Sequence, residues 1–235
     1  MTELSFPTLL GLGFVLGLRH ALDSDHVAAV STVLAQRPSF RASGLVGLSW
    51  GLGHTLVLLL VGMVVLWLRV PIPTFVAHVA EGIVGVMLVS LGGLLGFKLF
   101  KERWHIHQHE HDGNRHIHLH SHAIVEDHSH PHLWRESLRP LFIGMAHGLA
   151  GSAALLLLVV STAGSVAEGL VYISVFGCGS ILGMMLIGIA LSVPVIWSVR
   201  VGRNALLAVQ VSASLVSLGM GFSILYGLVV GAPAS

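Results

Sequence analysis

Residues Leu45–Leu68 read LVGLSWGLGHTLVLLLVGMVVLWL, a run with no charged side chain and one histidine, His54. A helix of about 20 apolar residues crosses the hydrocarbon core of a bilayer, so the run is read as a membrane span. Working outward, five more stretches meet the same rule: Leu4–Ala35, Phe75–Phe100, Leu141–Val160, Leu170–Val199 and Leu206–Val230. Hydrophobic residues make up 54% of the chain and charged ones 10%, against roughly 25% charged in soluble domains. No stretch alternates as a barrel strand must, and backbone polar groups in lipid have to be satisfied internally. The expected fold is therefore an all-α integral membrane protein with six transmembrane helices. The first and fifth stretches exceed a simple span and are expected to be tilted, kinked or broken.

Charge placement predicts the topology. The loops after spans one, three and five carry Arg37, Arg41, Lys98, Lys101, Arg103, Arg115, Arg135, Arg139, Arg200 and Arg203, whereas the opposite side carries Arg69. The excess of basic residues marks the cytoplasmic side, so both termini are expected outside and the long middle loop inside. Met1-Thr2-Glu3 has no basic leader, so the first span is expected to be retained. The net charge of +1 singles out no partner, and no nucleic acid is expected. Cys178 is the sole cysteine, which excludes an internal disulfide, dithiol exchange and a thiolate cluster.

The chain repeats itself at a shift of about 127 residues. Gly17-Leu18-Arg19-His20-Ala21-Leu22 aligns with Gly144-Met145-Ala146-His147-Gly148-Leu149, and Trp50-Gly51-Leu52-Gly53-His54 with Phe176-Gly177-Cys178-Gly179-Ser180. Ser90-Leu91-Gly92 then aligns with Ser217-Leu218-Gly219. Three spans per repeat place the halves in opposite orientations, as in secondary transporters whose substrate site lies where the halves meet. The expected organisation is residues 1–100 as a first three-helix repeat, 101–137 as a cytoplasmic loop, and 138–235 as a second repeat. Eleven of the sixteen histidines fall in that loop: His105, His107, His109, His111, His116, His118, His120, His122, His128, His130 and His132. Short histidine tracts bind metals such as nickel, copper and zinc, and this one is expected to be mobile and to capture or buffer them.

The sharpest signal is His20-Ala21-Leu22-Asp23-Ser24-Asp25-His26 inside the first apolar stretch. Ionisable groups at membrane depth cost about 2.5–3.5 kcal/mol each and mark ion pathways. Two imidazoles with two carboxylates suit a borderline divalent metal, not the all-oxygen shell of calcium or magnesium. On an unbroken helix His20, Asp23 and His26 follow one side and Asp25 points away, with about 9 Å between the two histidines along the axis. One site that also uses Asp25 requires a broken helix; a salt bridge from Arg19 to Asp23 or Asp25 is the structural alternative. His54, between glycines of the second span, is a further candidate ligand. So is His147, the repeat partner of His20, although no carboxylate stands beside it. His78 and Glu81, one turn apart near the end of span three, could line an entrance.

These residues resemble the nickel/cobalt transporter superfamily, whose signature is a histidine, four residues, then Asp-His in an early membrane helix. Here that is His20 followed by Asp25-His26, and Gly53-His54-Thr55 is similar to the family's Gly-His-Ser/Thr element. Six spans and a histidine-rich central loop look most like its short, urease-accessory-type branch. The resemblance implies nickel or cobalt permeation with His20, Asp25 and His26 as ligands, and zinc shares the chemistry. The larger permeases carry a Leu-Gly-Phe-Asp-Thr-Ala-Thr-Glu type run in their second half. His147-Gly148-Leu149-Ala150-Gly151-Ser152-Ala153-Ala154 stands here without its acids. Uptake is the expected direction. Export, or nickel binding without transport in urease maturation, are the alternatives, with a metallochaperone or urease-maturation proteins as partners. No enzyme and no prosthetic group are expected: the intramembrane metalloprotease motif His-Glu-x-x-His fails at His109-Glu110, where Gly113 takes the last histidine's place.

Overall fold

A computed structural model describes residues 6–70, 72–103, 107–111, 114–118, 133–150, 159 and 163–231. Among them are seven helices and one hairpin: α1 (Phe6–His20), α2 (Ser24–Leu34), α3 (Phe40–Leu68), α4 (Thr74–Arg103), β1 (His107–His111), β2 (Asn114–His118), α5 (Leu133–Ala150), α6 (Val166–Val201) and α7 (Arg203–Val230). Four of them, α3, α4, α6 and α7, are long and apolar enough to cross a membrane.

The first apolar stretch is not one helix. Leu22 N donates to Arg19 O and Asp23 N to His20 O, closing two tight turns, and Asp23 adopts extended backbone before the helix restarts. The restart leaves amide groups without intrahelical acceptors. Asp25 supplies one: its Oδ1 accepts from His26 N at 2.9 Å, and a carboxylate in the first turn suits the positive end of the helix dipole. The fourth expected span, Leu141–Val160, begins in α5, and residues 151–158 and 160–162 lie outside the described residues.

At α6, Ser165 Oγ accepts from Glu168 N while Glu168 Oε2 accepts from Gly164 N. This is a reciprocal cap of the Ser-x-x-Glu kind, and it gives Glu168 a structural role that an ordinary interfacial residue would not have. The hairpin was not expected in a mobile loop. Alternation at two residues is the period of a strand, and His107 pairs with His118 and His109 with His116 in antiparallel register. His105, His120, His122, His128, His130 and His132 lie outside the described residues.

Glycines set how the long helices cross, because a missing Cβ lets one backbone meet another. A Cβ on Gly17 would strike the carbonyl oxygen of Phe176, and one on Gly144 that of Trp50. A Cβ on Gly53 would strike Leu141 O, and one on Gly179 Phe14 O. Gly51 lies against Ile181, and Gly177 against Thr55. The contacts therefore come in pairs that interchange when residues are shifted by 126 or 127. Their registers make α1 parallel to α6, α5 parallel to α3, and α3 antiparallel to α6. The α4–α7 pair is antiparallel too: Ser217 Oγ donates to Leu88 O and Ser214 Oγ to Gly92 O. As a result the helix ends bearing Arg37, Arg41, Lys98, Lys101, Arg139, Arg200 and Arg203 gather at one end of the bundle, opposite Arg69.

Two of the three apolar clusters among the described residues flank the middle of the bundle. One joins Ala28, Ala29, Val46, Trp50, Leu88 and Met184; the other joins Leu58, Val65, Leu66, Val159, Ile173 and Phe176. Along α3 the first ends at Trp50 and the second begins at Leu58, so His54 lies between them. Along α6 the same gap falls between Phe176 and Met184, and Ser180 occupies it.

Candidate metal centre

Three elements deliver the site. The break between α1 and α2 presents His20, Asp23, Asp25 and His26, the middle of α3 presents His54, and the last turn of α5 presents His147. One ligating atom from each of His20, His26 and His54 lies within 4.8 Å of the other two. Ring centroids are 4.7 Å apart for His20 and His26, 5.0 Å for His20 and His54, and 5.4 Å for His26 and His54. Metal–imidazole bonds of about 2.0–2.1 Å put three nitrogens on one ion about 3.3–3.6 Å apart, so closure on an ion needs the rings to draw together by up to about 1.5 Å.

The carboxylates stand behind the rings. Asp23 Oδ2 is 2.8 Å from His20 Nδ1, and Asp25 Oδ1 is 3.1 Å from His26 Nδ1. A carboxylate on one ring nitrogen fixes the tautomer and turns the other nitrogen toward a ligand. Asp25 Oδ2 lies 3.6 Å from His147 Nε2, and the His147 ring is 4.7 Å from that of His26. Neither carboxylate pairs with Arg19, so the salt-bridge alternative is not what the fold builds.

Burial separates this cluster from an ordinary polar patch. His26, His54 and His147 are at most 3% exposed. His26 Nε2 and both ring nitrogens of His54 and His147 are buried with no hydrogen-bond partner. Each unsatisfied buried polar atom costs about 1–3 kcal/mol, and native folds keep few of them. Five at one spot, beside a carboxylate, leave each of the three rings able to offer one nitrogen to a cation. Imidazole nitrogen with carboxylate oxygen is the set preferred by nickel, cobalt and zinc.

Every residue singled out in the first motif, together with His54 and His147, thus converges on one place. His78 does not: it is exposed on α4, and Glu81 is partly buried beside it. Two residues at the centre were not singled out as site residues. The Phe176 ring lies 5.5 Å from that of His20, and the Trp50 ring 5.1 Å from that of His147. Their signal was present in the repeat, which aligns Trp50 with Phe176 as it aligns His20 with His147.

The chain is similar to known proteins. The chain is 37% identical over 228 residues to the urease accessory protein UreH of Bacillus sp. (strain TB-90), covering 97% of this chain and 95% of that protein. It is 24% identical over 186 residues to a "putative nickel/cobalt efflux system" of Methanocaldococcus jannaschii, covering 76% and 72%. No family model matches. No solved structure matches either.

Proposed function

This chain belongs to the nickel/cobalt transporter-type family, and we propose that it carries a divalent transition metal, nickel or cobalt, across the membrane through the cluster of His20, His26, His54 and Asp25. The observation that carries the reading is the cluster of three buried histidines, His26, His54 and His147, with five ring nitrogens that lack a hydrogen-bond partner, in the middle of an apolar bundle. Asp23 holds His20, Asp25 holds His26 and completes the donor set, and His147 is the ligand that the second half contributes. The protein works as a transporter and not as an enzyme, with the ion as its substrate.

The interchangeable glycine contacts and the opposed helix directions support two inverted three-helix repeats meeting at this site. The basic end of the bundle is assigned to the cytoplasm, with both termini outside, and uptake delivers metal to the histidine tract there. Urease-maturation proteins or a metallochaperone then receive it. The M. jannaschii relative is named for efflux, and that favours export as the second reading; the name urease accessory protein favours an accessory role without transport as a third.

Flux into proteoliposomes of known orientation, with Ni²⁺, Co²⁺ and Zn²⁺ supplied in turn, tests all three. Ni²⁺ or Co²⁺ should accumulate from the Arg69 side, and His26→Ala should stop it. Movement only from the basic side would make the protein an exporter. Metal retained by the protein with no flux would leave the accessory reading alone.

A further inference from the structure

We infer that Phe176 and Trp50 are the paired gates of the metal site, each closing it toward one end of the bundle. The inference rests on the transport reading and adds the residues that must move. Along the bundle axis the cluster lies between two apolar layers: Phe176 belongs to the one with Leu58, Val65 and Leu66 near Arg69, and Trp50 to the one with Val46, Ala29 and Met184 toward the basic end. A hydrated divalent ion does not cross packed apolar side chains, so an ion moving along the bundle axis meets the histidines only when one cluster parts.

In each cluster one ring touches the site. Phe176 lies 5.5 Å from His20 at 44° between planes, and Trp50 lies 5.1 Å from His147 at 43°. The two pairs are crossed: an aromatic from each half covers a histidine of the other. The repeat exchanges the pairs, since Trp50 aligns with Phe176 and His20 with His147. The tight glycine contacts fall on the same residues, with Gly17 against Phe176 O and Gly144 against Trp50 O. Such contacts carry no interlocking side chains, so one half can rock against the other along them. Rocking parts one aromatic–histidine pair while pressing the other together, and the site opens to one side at a time. Trp50 is fully buried, yet its Nε1 has no hydrogen-bond partner, so no polar contact has to break when the ring swings out.

The test uses the full-length chain in sealed vesicles of both orientations, with Cys178→Ser and a reporter Ser180→Cys. Ser180 is fully buried between the two gates. Control cysteines in separate chains, at Ser39 and at Ser165, mark the two faces. With an impermeant charged maleimide the reporter should be protected in the parent. Phe176→Ala should raise its labelling roughly tenfold or more from the Ser165 face only, and Trp50→Ala likewise from the Ser39 face only, as a shift in the open population would. Labelling from one and the same face in both variants, or no change in either, overturns the proposal. If an alanine variant does not reach the membrane, Phe176→Leu and Trp50→Leu replace it with the same sided expectation. Ni²⁺ flux is measured on the parent vesicles. Sided labelling with no flux sinks the transport reading and leaves two closures of a binding site, whereas flux with unsided labelling sinks the gates alone.

Discussion

At the scale of single residues, the site is built from imidazoles that carboxylates hold in place. Asp25 bonds the His26 ring at 3.1 Å and the His26 amide at 2.9 Å with the same oxygen, so it sets both the start of α2 and the direction of the ring. Loss of a carboxylate behind a metal-binding histidine typically costs 10–100-fold in affinity or activity. Asp25→Asn should therefore weaken Ni²⁺ binding by about that range while leaving the protein in the membrane, as calorimetry on purified protein would read; unchanged affinity would remove Asp25 from the site. His54→Ala should cost at least as much, because it removes one of the three imidazoles whose ligating atoms lie within 4.8 Å of one another. Binding must also weaken as pH falls, since a proton and a metal compete for the same imidazole nitrogen. Calorimetry in buffers of different ionisation enthalpy should count protons released per ion, and zero would exclude histidine ligation.

At the scale of elements, the break between α1 and α2 is what lets residues six apart share a site. A straight helix would separate His20 from His26 by about 9 Å along its axis; the observed ring separation is 4.7 Å. The glycine crossings hold the broken helix against α6. Gly17→Val places a branched side chain where no Cβ fits beside Phe176 O, and overpacking of this kind costs about 1–3 kcal/mol. The variant should lose thermal stability and flux together, whereas Gly93→Ala, with open space around it, should lose neither. The histidine hairpin is a separate element, so deleting residues 105–132 should lower metal capture from dilute solution without stopping permeation at saturating metal. Complete loss of flux in an inserted deletion would give that tract the central role instead.

At the scale of the whole molecule, the helix directions collect the basic ends on one face. Cysteines at Ser39 and Ser165 should then react with an impermeant reagent from opposite sides of the membrane, Ser165 from outside in intact cells. Reaction of Ser39 from outside would invert the orientation and exchange the two directions of transport.

The membrane class is legible along the chain, because long apolar runs have no stable state in water and lipid demands helices. The candidate ligands are legible in the same way: an imidazole or carboxylate among apolar neighbours announces itself wherever the chain takes it. The overlong first stretch and the geometry of Asp25 already required a break. What remained to tertiary structure was convergence. His147 earned its place only when α5 packed parallel to α3, and the shared position of His54 depends on backbones that meet at Gly53 and Gly148. The rings of Phe176 and Trp50 read as ordinary core in one dimension, since nothing local distinguishes an aromatic that fills space from one that lies on a histidine of the other half. That distinction comes from which helices touch, and such contacts between distant segments leave little local trace in the chain.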